Sequence, residues 1–208
     1  MARYGCGGID IKRFNLISDE INAAPTDRHL GVIAGVLLEN LLYDLLSSFL
    51  IDDPLYAKEQ EDEIFGSYGP LATFGLKIKM AFHLGLISEI EYNLLRIVKF
   101  VRDRSAHSLG LEEQAPVDFS HQELVNKIRD AFPPKWVKML PVERRKALEE
   151  QRQKLFTSEN SKEWFKYFVH YISLCLLVRK DYFVEHRVVP KDINEDVDED
   201  KTEDAENT

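Results

Sequence analysis

The chain has 208 residues, 44% hydrophobic and 30% charged, with a formal charge of −9. That supplies enough apolar mass for one core, and the acidic balance disfavours non-specific attraction to nucleic acid or anionic lipid unless a local basic patch exists. The two cysteines, Cys6 and Cys175, are far apart, and no basic, apolar leader opens the sequence, so a disulfide scaffold and secretion are disfavoured and a cytoplasmic protein is expected.

Helical periodicity runs through the sequence and alternating β-type runs are missing, so the expected fold is all-α: one helical bundle of about six to seven helices. Residues 1–8 read as a flexible N-terminus, 9–189 as the helical domain and 190–208 as an acidic tail. A first helix from Ile9 to Ala23 places Ile11, Phe14, Ile17 and Ile21 near one face. Pro25 follows, and Thr26 is a candidate N-cap for a long second helix to Ile51, with Leu30, Ile33, Leu37, Leu41 and Leu45 at helical spacing. Its apolar face is wide enough to make it central. Glu39, Asn40 and Asp44 interrupt it as a membrane span, and Phe165 to Val178 is too short and carries Lys166 and His170, so no membrane segment is expected.

Asp52-Asp53-Pro54 stops the second helix, and Glu59 to Glu63 reads as an irregular connection. Pro70 fits the first position of a third helix closed by Gly85. Ser88 and Glu91 form a capping-box signature for a fourth helix running through Leu94, Val98 and Val101 to His107, with Gly110 past its end. Ser120 and Glu123 repeat that signature before Leu124 and Ile128, and Pro133-Pro134 ends the segment. Pro141 to Leu155 is charged and expected at the surface. The last helix starts near Ser158 or Ser161 and carries Trp164, Phe165, Phe168, Ile172, Cys175 and Leu176 as an apolar stripe. The tail from Pro190 to Thr208 holds nine acids against Lys191 and Lys201, a net −7 of the chain's −9, so it is expected to be solvated and disordered.

No metal-ligand spacing occurs, the six histidines are scattered, and no cofactor-binding motif or serine-hydrolase elbow is present, so neither a metal nor a cofactor is expected. The polar residues of the second helix carry more information, because a buried carboxylate needs a cation. Arg102 continues the apolar stripe of Leu95 and Val98, and guanidinium suits a partly buried pair, so the expected structural ion pair joins Glu39 to Arg102, with Asn40, Asp44 and Asp103 as polar support. Arg102 and His107 also have the spacing of the Rx4-6H motif of the HEPN superfamily. That resemblance implies a metal-independent endoribonuclease in which arginine and histidine from two protomers meet at a dimer cleft and cleave RNA through the ribose 2′-hydroxyl. Histidine exchanges protons near neutral pH and arginine stabilises phosphate charge, so the chemistry is coherent.

A longer series is more specific: Leu37-Leu38-Glu39-Asn40-Leu41-Leu42, Phe65-Gly66-Ser67-Tyr68-Gly69-Pro70-Leu71, Lys77, Leu84-Gly85-Leu86-Ile87-Ser88, Arg102-Asp103-Arg104-Ser105-Ala106-His107-Ser108 and Phe119. In this order, over residues 30 to 120, the chain resembles the mannitol repressor (MltR) family. The resemblance implies an all-α domain acting in bacterial transcriptional control, a repressor that works through a partner protein instead of reading DNA. Many relatives place Asn after the arginine and a large apolar residue before Ala-His; Asp103 and Ser105 stand there in this chain, which counts against carrying an RNA-cleaving role over. No basic recognition helix stands out, and Glu149-Glu150 mute the Arg144-Arg145-Lys146 cluster, so direct DNA binding is disfavoured. The leading expectation is a non-catalytic, homodimeric, protein-binding regulator, with the ribonuclease of Arg102 and His107 as the alternative.

Overall fold

The computed structural model describes residues 10–50, 57–107, 118–131 and 157–185, together with the single positions 142, 146 and 150. These residues form seven helices and no strand: α1 (Ile11–Ala23), α2 (Asp27–Leu50), α3 (Ala57–Phe65), α4 (Phe74–His83), α5 (Glu89–His107), α6 (Gln122–Ala131) and α7 (Ser161–Glu185). Asp52-Asp53-Pro54, Gly110, Pro133-Pro134, Cys6, most of Pro141 to Leu155 and the acidic segment 190–208 lie outside the described residues. Of the charged stretch, Val142, Lys146 and Glu150 are exposed.

α2 is the hub. Thr26 caps it, its hydroxyl accepting from the His29 amide at 3.1 Å, and Leu30, Ala34, Leu38, Leu42, Leu45 and Leu46 are fully buried. By length and composition α2 could cross a membrane, but its leucine face lies inside the bundle against α1, α4, α5 and α7. Burying that face stabilises the bundle, since the gain scales with area removed from water. α1 starts at an Asp10 cap, whose carboxylate accepts from the Arg13 amide at 3.0 Å. Ile17 and Ile21 are buried, whereas Ile11, expected on the same face, is exposed in the first turn.

Two expectations are corrected between α2 and α5. The acidic run from Glu59 to Glu63 is helical, because glutamate is a good helix former and Ile64 and Phe65 anchor the end of α3 on the core. Phe65 meets Tyr43 edge to face at 4.7 Å, and the Tyr43 hydroxyl donates to Glu61. Pro70 does not open α4. The chain folds back first, with the Leu71 amide donating to the Ile64 carbonyl at 2.9 Å and Leu71 buried. Thr73 then caps α4, accepting from Leu76. Gly85 closes that helix at φ 71°, the left-handed conformation that favours glycine.

Ser88 and Glu91 form the capping box of α5: the Ser88 amide and hydroxyl each donate to the Glu91 carboxylate at 2.6 Å. Ser120 does not repeat it. Its amide and hydroxyl turn back to Asp118, at 2.7 and 2.6 Å, and Glu123 instead reaches Arg104 at 2.9 Å. Those bonds from Ser120 hold the Asp118 carboxyl below its ordinary value. α7 begins at Ser161, whose buried hydroxyl donates to the Phe119 carbonyl, and it buries Phe165, Phe168, Val169, Ile172, Leu176 and Leu177.

α5 lies against α2 where α2 carries Gly31 and Gly35. A Cβ on Gly31 would sit 2.8 Å from Val101 Cγ1, and one on Gly35 only 2.7 Å from Arg102 Cβ. Because Arg102 Cβ is fixed to its backbone, Gly35→Ala is expected to push the two helices apart and destabilise the fold by about 1–3 kcal/mol. Thermal melting followed by circular dichroism checks this, with a drop of roughly 2–4 °C per kcal/mol for a chain of this size.

Candidate functional site

α2, α4 and α5 converge on Glu39. Lys77 Nζ lies 2.8 Å from its Oε1 and Arg102 Nη1 lies 2.9 Å from its Oε2, so each oxygen of the carboxylate has its own cation. Lys77 is the deepest of the three, with its side chain 8% exposed, against 17% for Glu39 and 31% for Arg102. The Arg102 guanidinium also stands 5.6 Å from the centre of the Phe74 ring, within cation–π range. Two cations on one acid leave a local excess of one positive charge, and the neighbouring Asp103 is taken up by Lys99 one turn away.

The other residues singled out in the sequence are dispersed. Asn40 is exposed. Asp44 pairs with Arg13 of α1 at 2.5 Å and so ties α1 to α2. His107 is the last residue of α5, and its side chain lies outside the described residues. Lys77 enters the sequence reading only through the family resemblance, and its pairing with Glu39 is a finding of the fold. Its signal was present, since it stands among Phe74, Ile78 and Ala81 on the buried face of α4, and a lysine on an apolar stripe asks for a buried acid.

A second cluster joins the start of α5 to the end of α7. Glu91 is fully buried and meets Arg179 at 2.6 Å while holding the Ser88 cap. Burial pushes its carboxyl up, but the hydrogen bonds from Arg179 and Ser88 outweigh this and leave it below the ordinary 4.5. Cys175, half-buried beside the pair, is pushed up to about 11 by burial and by the Glu91 charge. Its thiol therefore stays protonated at neutral pH and is a poor nucleophile.

His170 on α7 faces α1, edge-on to Phe14 at 6.3 Å and hydrogen-bonded to the Ser18 backbone. Its Nε2 is buried without a partner, and burial lowers the imidazole below 6.5. The folded form thus holds neutral histidine more strongly than the unfolded form does. The stability this confers is complete above about pH 6.5 and is lost as pH falls through the lower folded value. Comparing melting temperatures at pH 7.5 and 5.5 should show a decline in the parent that His170→Phe makes shallower.

Among the described residues no group of three or more His, Cys, Asp or Glu side chains could hold a metal ion. The arrangement is that of a helical bundle in which Glu39 and Glu91 are each matched by cations from other helices. No protein-family model matches the chain, and no curated protein matches it. A solved structure does: a chain of the MtlR–HPr complex from Escherichia coli, 16% identical, with a TM-score of 0.56 over 79% of this chain and 98% of that one. The protein therefore has an MtlR-like fold.

Proposed function

We propose that this protein is an MtlR-like transcriptional regulator of the repressor type, cytoplasmic and homodimeric, which acts through contacts with other proteins and does not read DNA itself. The observation that carries the reading is the fold shared, over nearly the whole length of the solved chain, with a component of a protein–protein complex. The Glu39 cluster supports it, because the Arg102 guanidinium is engaged by a carboxylate and an aromatic ring. An HPr protein, or a partner of that kind, is the first to test.

Titration calorimetry of the pure chain against HPr from the same host should give a saturable heat. Two outcomes overturn the proposal. Duplex DNA bound tightly, with affinity falling steeply in salt, would make it a direct repressor. Cleavage of mixed RNA in chelator by the parent, lost in His107→Ala, would make it the ribonuclease using Arg102 and His107.

A further inference from the structure

A groove of about 350 Å³ runs between α5 and α6, lined by Asn93, Arg96, Ile97, Phe100, Lys127 and Asp130. Two cations face it, Arg96 and Lys127. Arg96 is exposed, its guanidinium 5.6 Å from the Tyr92 ring. Lys127 stands 4.6 Å from the Phe100 ring and pairs loosely, at 3.7 Å, with the exposed Glu123. Arg104 flanks the same ring at 5.8 Å while paired with Glu123 at 2.9 Å. Cations held over aromatic faces keep their hydrogen-bond donors available for carboxylates. Asp130 on the rim is the one acid of the lining.

We propose that this groove is the docking site of the chain's own acidic segment 190–208. Charge complementarity is the first argument: the segment carries a net −7, while residues 1–189 carry −2, so the segment is repelled by most of the surface and drawn to a cationic groove. Reach is the second. Arg179 pairs with Glu91 at the start of α5, and Glu185 lies about 9 Å further along α7. Arg96 and Phe100 are about 7.5 and 13.5 Å along α5 from Glu91. From Glu185 the chain up to Asp198 can extend to about 43 Å, ample to turn around one helix and enter the groove. Tethering is the third. A flexibly linked segment acts at an effective concentration on the order of 1 mM, so a weak contact suffices to fill the site.

Zero-length carbodiimide cross-linking of the full chain, read by mass spectrometry, tests this. Cross-links from Asp and Glu of 192–206 should concentrate on Lys127 within monomeric protein. They should fall about tenfold in 0.5 M salt and likewise in Arg96→Gln, a surface change that leaves Lys127 and the fold in place. Cross-links spread evenly over exposed Lys12, Lys58 and Lys79, links confined to a dimer band, or a pattern indifferent to both salt and Arg96→Gln would overturn the proposal. An Asp198→Asn/Glu199→Gln/Asp200→Asn variant supplies a check that leaves the helical body untouched: its remaining acids should cross-link to Lys127 less, and an unchanged yield counts against docking.

Discussion

Glu91→Ala is expected to destabilise the fold by about 3 kcal/mol, lowering the melting temperature by roughly 6–12 °C. The carboxylate holds two elements at once. It accepts from the Ser88 amide and hydroxyl, closing the first turn of α5, and it balances Arg179 from the far end of α7. Alanine would leave the cap open and strand a guanidinium whose side chain is 28% exposed, so the cost exceeds the roughly 1 kcal/mol of a lost cap alone. Ser88→Ala, which keeps the ion pair, should show only that smaller loss. The same carboxyl sets an acid limit. Its folded value lies below the ordinary 4.5, so its contribution is whole above about pH 4.5 and disappears as pH falls through the folded value. Glu91→Gln should flatten the stability profile in that acid range, and urea titrations at a series of pH values measure it.

Glu39 and Arg102, although partners, should answer unequally to substitution. Glu39→Ala leaves Lys77 and Arg102 facing each other without the acid between them, and the Lys77 side chain is almost wholly enclosed. A loss of about 3 kcal/mol is expected, with a melting temperature lower by roughly 6–12 °C. Arg102→Ala keeps Glu39 in contact with Lys77 at 2.8 Å, so its carboxylate is not stranded. The expected cost is nearer 1 kcal/mol, much of it lost packing of the methylenes that lie over Gly35. Equal losses in the two variants would refute the central position of Glu39; Lys77→Met, which removes the buried charge and keeps the volume, separates the cations further.

The local devices of this fold could be read from the residues that make them. Thr26 ahead of α2, the pairing of Ser88 with Glu91, and Gly85 at a left-handed turn each act within a few positions of themselves. Ser120 failed as a cap because Asp118, two residues earlier, competes for the same hydroxyl. Pro70 misled because a proline that suits a helix start also suits a turn, and only the bond from Leu71 back to Ile64 decides between them. The need of Glu39 for a cation was visible in its leucine-rich surroundings. That two cations answer it depends on how α4 crosses α2, a fact of packing that no spacing within one helix contains. Arg179 was hidden for the same reason, its partner standing 88 residues away in the chain.

α2 touches α1, α3, α4, α5 and α7 among the described helices, and this has a bearing on how the protein comes apart. A bundle joined through one shared axle has no half that can survive alone, so unravelling should be all-or-none. Tryptophan emission, to which Trp164 on α7 contributes, and the far-ultraviolet helical signal should then vanish along superimposable curves.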